Sequence, residues 1–168
     1  MKKKHLFLIS IFLPLLSIAN SLIPPAPIVN ASSYILIDAT TNKVILEYQA
    51  DEKNPPASLT KIMTSYLVEK QIERGVVALS DQVPISVKAW RAEGSKMFVR
   101  EGTKVLLSDL LRGVVVQSGN DASIALAEFI AGDENSFAQM MNTQAEELGM
   151  FNSRFVNSTG LPDTEHYS

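Results

Sequence analysis

Ser58-Leu59-Thr60-Lys61 sets a hydroxyl and an amine three residues apart, a spacing that puts both side chains on one face of a helix. A serine hydroxyl is a poor nucleophile until a base removes its proton. A lysine serves as that base once burial or a neighbouring cation lowers its pKa. Placement at a helix start adds backbone N–H groups and a positive dipole end, which suit a developing oxyanion. The string alone is a weak signal: 17 Ser and 10 Lys in 168 residues yield about one S-x-x-K by chance, and one is present. A second element, Ser118-Gly119-Asn120, falls between two expected helices. As architecture it reads as a helix stop and restart. As chemistry it offers a hydroxyl to relay a proton and an amide to bind a substrate backbone.

These residues need elements to hold them. Residues 33–38 (SYILID) and 43–48 (KVILEY) are β-prone runs around a short loop, which predicts a hairpin. Apolar residues fill both faces of the runs, so the hairpin is expected in a sheet covered on two sides. Leu59, Ile62, Met63, Tyr66, Leu67 and Ile72 recur at helical spacing before Gly75 and are read as a core stripe. Residues 76–102 look loop-rich. Ser108 is the expected N-cap of a helix through Val116, followed by helices over about 121–131 and 134–148, the latter stopped by Gly149. Phe137, Met140, Met141, Ala145 and Leu148 would line the inner side of the last helix. Residues 155–168 read as a loop without a destination, and two strands alone cannot build a covered sheet. The chain therefore looks cut short.

Composition narrows the function classes. The chain is 46% hydrophobic and 20% charged, the make-up of one ordinary globular domain. It has no clustered basic face, which argues against a nucleic-acid partner. It has no cysteine and two histidines, His5 and His166, which leaves no thiolate or histidine-rich metal site. Lys2-Lys3-Lys4-His5, an apolar run from Leu6 to Leu16, and Ser17-Ile18-Ala19 form a signal-peptide pattern, with cleavage expected after Ala19. The apolar run is too short to span a bilayer and contains Pro14. Loss of the three leader lysines takes the formal charge from −3 to −6. Residues 20–32, rich in proline, read as an extended lead-in.

Taken together, Ser58-x-x-Lys61 and Ser118-Gly119-Asn120 resemble the S-x-x-K plus S-[DG]-N pairing of penicillin-recognising serine enzymes. Tyr34-Ile35-Leu36-Ile37-Asp38, Pro56-Ala57-Ser58-Leu59-Thr60-Lys61, Gly94-Ser95-Lys96-Met97-Phe98, Leu111-Arg112-Gly113, Gln117-Ser118-Gly119-Asn120-Asp121-Ala122 and Tyr167-Ser168 are similar, in order and spacing, to segments of the low-molecular-mass penicillin-binding proteins, the D-alanyl-D-alanine carboxypeptidases. The resemblance implies a mixed α/β, transpeptidase-like fold, a helical cluster on an antiparallel sheet. Residues 33–168 would be the N-terminal part of the catalytic domain. It implies Ser58 as acylated nucleophile, Lys61 as general base, Ser118 as proton relay to the leaving D-alanine, and Asn120 as a substrate-amide binder that helps orient Lys61. The implied substrate is the peptidoglycan stem peptide, with β-lactams as covalent inhibitors and no metal or organic cofactor. The implied place is the periplasm, at the outer face of the cytoplasmic membrane, with membrane association only through a C-terminal segment absent here.

One departure matters. The family's K-T-G strand, which supplies a second oxyanion donor, groups that bind the substrate carboxylate and a cation near the catalytic lysine, has no match in residues 1–168. The expectation is that the natural protein continues past Ser168, or that this piece is inactive. Rival readings are a β-lactamase or esterase of the same architecture, and a catalytically inactive peptidoglycan-binding protein. A Ser-His-Asp arrangement using His166 with Asp121 or Asp163 is the weakest alternative.

Overall fold

The computed structural model describes residues 27–168. The predicted leader and half of the lead-in lie outside them. The described residues form two compact units that divide after Ala50.

In the first unit, β1 (Tyr34–Ile37) pairs antiparallel with β2 (Val44–Tyr48) in the register Tyr34↔Tyr48, Leu36↔Leu46, with a bulge at Leu36/Ile37. The turn is chemically specified. The Asp38 carboxylate accepts the Thr40 and Thr41 N–H groups at 2.9 Å each, and Asn42 takes the left-handed conformation with φ +56°. The Thr41 and Thr40 donors hold the Asp38 carboxyl below its ordinary range. The hairpin is as expected, but its covering is not: Ile35, Leu36, Ile37, Val44 and Ile45 are all exposed. A two-stranded ribbon offers no second layer to bury both faces.

The second unit is built on helices. A 3-10 turn (Ala57–Leu59) leads into α1 (Thr60–Glu73). Next come β3 (Gln82–Pro84), the four-residue α2 (Val87–Trp90), β4 (Lys104–Leu106), α3 (Leu107–Gln117), α4 (Asn120–Ala131) and α5 (Glu134–Glu147). Helix α4 is the hub. Every residue from Asn120 to Ala127 is buried, and it packs against α1, α2, α3, α5 and β3. Its short side chains, Ala122, Ala125 and Ala127, let those neighbours come close. One core gathers Val68, Val83, Leu107, Leu110, Val114 and Leu126; the other gathers Met63, Leu67, Phe137, Met141, Ala145 and Phe155.

The 76–102 region is loop-rich, as expected, with two short elements in it: β3, which pairs with β4, and α2, capped by Ser86, whose Oγ accepts from the Ala89 N–H at 3.0 Å. Three sequence expectations need correction. Ser108 is not an N-cap. β4 runs directly into α3, and the first-turn N–H groups of Leu107 and Ser108 are taken by the Asp81 and Leu79 carbonyls. On α1 the apolar stripe is buried only in part: Met63 and Leu67 enter the core and Ile72 packs against it. Thr60, Lys61, Met63, Thr64, Leu67, Val68 and Gln71 are buried, while Leu59 and Ile62 are each 68% exposed and Tyr66 is exposed too. The reason is that Thr60, Lys61 and Thr64 each meet a specific hydrogen-bond partner in the 158–166 segment, which removes the penalty for burying them. Leu148, finally, sits at the exposed end of α5 and not in its inner row.

The terminal loop does have a destination. Arg154 and Tyr167 form a reciprocal backbone pair, and Ser168 exchanges two backbone hydrogen bonds with Asn54 at 3.0 Å each. These pairs lay residues 155–166 along α1. Among the described residues, no helix is long and apolar enough to cross a membrane.

Candidate active site

Ser58 lies in the 3-10 turn that enters α1, one residue after Ala57, whose φ is +47°. A non-glycine residue in this left-handed region stores strain of order 1–3 kcal/mol. Lys61, on the first turn of α1, donates from Nζ to Ser58 Oγ at 3.2 Å and to the Thr159 carbonyl at 2.7 Å. Only 5% of Lys61 is exposed, and burial pushes its amine below the ordinary value of 10.5. A neutral amine within reach of a hydroxyl is the state a general base requires.

Ser118 comes from the other side. It ends α3 in the left-handed conformation, φ +53° and ψ +36°, and that reversal aims Oγ at Ser58 Oγ, 3.0 Å away. Gly119 then starts α4, its N–H on the Gly113 carbonyl. The helix stop and the chemical element are thus the same three residues. Asn120 faces elsewhere. Its N–H donates to the Ser95 carbonyl at 2.7 Å and its side-chain amide to the Glu93 carbonyl at 2.6 Å. No hydrogen bond joins Asn120 to Lys61, whose partners are Ser58 Oγ and the Thr159 carbonyl. Gly94 is required opposite Asn120: a Cβ there would lie 2.8 Å from Asn120 Nδ2, at a φ of +77°.

Two supports carry no sequence signature. Asp121, fully buried, accepts the Met97 N–H at 3.0 Å and the Val99 N–H at 3.1 Å. It thereby binds the 94–99 loop to α4 and holds Phe98 between them at φ +65°. The 157–160 segment seats Lys61 from the opposite side, through a backbone carbonyl that any residue type would supply. Asn157 Oδ1 shapes this segment by accepting from the Thr159 N–H, the Thr159 hydroxyl and the Gly160 N–H. A cleft of about 370 Å³ opens over the site, with Ser58, Lys61, Ser118, Ile62 and Val115 in its wall.

Of the sequence-predicted residues, the fold brings Ser58, Lys61 and Ser118 into one hydrogen-bonded group and sets Asn120 beside it on the loop side. His166 is not part of that group. It is 3% exposed and packs edge-on against Phe155. Its Nδ1 accepts the Val156 N–H at 3.2 Å, so Nε2 carries the proton and donates to Thr60 Oγ1 at 2.7 Å. No carboxylate bonds to it, which removes the Ser-His-Asp alternative. Among the described residues, no group of three His, Cys, Asp or Glu side chains is placed to hold a metal ion.

The chain and its fold are similar to known proteins. The chain is 42% identical over 138 residues to a D-alanyl-D-alanine carboxypeptidase of Bacillus subtilis, covering 82% of this chain and 36% of the relative. It superposes on a D-alanyl-D-alanine carboxypeptidase of Francisella tularensis with a TM-score of 0.81 at 44% identity, covering 87% of this chain and 36% of that one. For penicillin binding protein 5 of Haemophilus influenzae the TM-score is 0.82 at 38% identity, covering 86% and 43%. The fold is therefore mixed α/β of the penicillin-binding-protein type, as the resemblance implied, and the chain spans well under half the length of these relatives. The sequence profile of the D-alanyl-D-alanine carboxypeptidases matches residues 20–168, and the chain belongs to that family.

Proposed function

We propose that the natural protein is a serine-type D-alanyl-D-alanine carboxypeptidase, which removes the terminal D-alanine from peptidoglycan stem peptides through an acyl-serine intermediate. The observation that carries this reading is the convergence on Ser58 Oγ of Lys61 Nζ at 3.2 Å and Ser118 Oγ at 3.0 Å. In the proposed sequence Lys61, whose burial favours the uncharged amine, takes the Ser58 proton as Oγ bonds to the carbonyl carbon of the penultimate D-alanine. The C–N bond then breaks, and Ser118 relays a proton to the departing amine of the last D-alanine. Water finally hydrolyses the ester, with Lys61 again the base, and Ser58 is restored. Asn120, whose Nδ2 is held by Glu93, offers its Oδ1 to the substrate amide.

A β-lactam would enter the same sequence, its ring amide acylating Ser58. No metal or organic cofactor takes part. Residues 1–19 act as a cleaved leader, residues 33–168 form the N-terminal part of the catalytic domain, and the protein works in the periplasm at the outer face of the cytoplasmic membrane.

The test is brief exposure of the natural protein, from its host's envelope, to a penicillin, followed by peptide mass spectrometry and an assay of D-alanine release from a peptide ending in D-Ala-D-Ala. A lasting adduct on the Ser58 peptide, with D-alanine released, is the expected result. Rapid penicillin turnover would instead mark a β-lactamase. No adduct and no release would mark an inactive wall-binding homologue and overturn the proposal.

A further inference from the structure

Lys61 Nζ bonds at once to Ser58 Oγ and to the Thr159 carbonyl, so whatever holds Thr159 bears on where the amine sits. The Asn157 turn gives the loop its shape but does not set where the loop sits. Within the stretch that the Arg154–Tyr167 and Asn54–Ser168 pairs lay along α1, the anchor next to Thr159 is Ser158, which is fully buried. Its carbonyl accepts the Thr64 hydroxyl at 2.7 Å. Its N–H and Oγ both donate to a single oxygen, Glu134 Oε1, at 2.9 and 2.7 Å. The other Glu134 oxygen receives Lys88 Nζ from α2 at 2.8 Å.

A glutamate only 7% exposed calls for an explanation, since an ionised carboxylate is costly to bury unless fully partnered. Capping of α5 is not that explanation: Asp133 already accepts the Ser136 N–H at 2.9 Å. Burial pushes the Glu134 carboxyl up, but Lys88 and the Ser158 donors outweigh it, leaving the group below its ordinary value and ionised. All of its donors come from α2 and from the loop that holds Lys61.

Building on the acyl-serine reading, we infer that Glu134 is a positioning residue of the site: it pins Ser158, and through it the Thr159 carbonyl, so that the Lys61 amine is held on Ser58. It touches neither the nucleophile nor the substrate.

The test uses the natural protein with Glu134→Gln and, separately, Ser158→Ala. Glutamine keeps the size but turns an N–H donor group toward Lys88 or toward Ser158, whereas alanine at 158 removes one of the two donors and keeps the backbone bond. Two readouts are taken on variants with a cooperative melt. The first is the pH midpoint for trace labelling of the Lys61 amine, read by peptide mass spectrometry. The second is the pH profile of penicillin acylation. Loosening the loop admits water to the amine, so the labelling midpoint rises toward 10.5. Acylation near neutral pH falls about tenfold or more, and recovers as the pH is raised. A wild-type midpoint and wild-type profile in both variants would overturn the inference; if Glu134→Gln does not fold, Ser158→Ala decides it alone. The midpoint needs no acylation, so a natural protein that takes no penicillin sinks the carboxypeptidase reading while still testing the Glu134 anchor.

Discussion

Lys61 Nζ and the Thr159 carbonyl oxygen stand 2.7 Å apart across 98 positions of sequence. The bond fixes the amine's direction: with one proton directed at Thr159, the nitrogen faces Ser58 Oγ. The residue that lets the carbonyl come this close is the next one. Gly160 has φ +80°, and a Cβ there would fall 1.8 Å from the Ala57 carbonyl oxygen.

Gly160→Ala is therefore expected to displace the 157–160 segment from the 3-10 turn. Left-handed strain and a clash with backbone together cost about 3 kcal/mol or more. A lower melting temperature and slower penicillin acylation in the natural protein would bear this out; an unchanged melt would show that the loop yields without cost.

Lys61→Met keeps the buried stem and removes the base. Acylation of Ser58 should fall by about a hundredfold to ten-thousandfold, and Ser58→Ala should abolish the adduct. The Lys61 amine also has a stability signature. Its folded value lies below 10.5 because of burial, so between those two values the unfolded chain binds more protons. The native state therefore gains stability as the pH rises through that window and loses it as the pH falls. Denaturant melts should show the wild-type protein gaining on Lys61→Met as the pH is raised toward 10.5.

His166 gives an acid-side counterpart. Burial lowers its pKa from 6.5, with Asp163 partly opposing that, and Nδ1 has no room for a second proton because it accepts the Val156 N–H. The ring's contribution is complete above 6.5 and is lost as the pH falls through the lower folded value. Thermal melts of the wild type should fall more steeply below pH 6.5 than those of His166→Gln.

Asp121→Asn replaces one of the two acceptors that hold Met97 and Val99 with a donor. An unsatisfied buried N–H costs about 1–3 kcal/mol. Hydrogen exchange at the Met97 and Val99 amides should quicken well beyond the change at α1 amides; equal protection would place the loop's restraint elsewhere.

Sequence patterning was most legible where one local rule decides the outcome. The hairpin around Asp38, the stop of α3 at Ser118 and the start of α4 follow from turn residues and helix periodicity, and they stand where expected. The stripe on α1 is legible only in part, at Met63 and Leu67, because periodicity ranks side chains by apolarity, whereas burial also goes to Thr60, Lys61 and Thr64, whose polar atoms find partners. Helix α3 lacks a side-chain cap for a related reason: carbonyls from the 79–81 turn satisfy its first N–H groups, and such contacts leave no mark on residue type.

The sequence alone determined the chemical inventory and half of its geometry. The serine and the lysine of Ser58-x-x-Lys61 meet through their spacing on one helical turn, and Ser118-Gly119 must reverse the chain between two helices. Only the tertiary structure decided that Ser118 points at Ser58 from 60 residues away, that a backbone carbonyl at Thr159 seats Lys61, and that Asn120 bonds to Glu93. Those contacts depend on where packed elements come to rest, and a main-chain oxygen has no letter in the sequence.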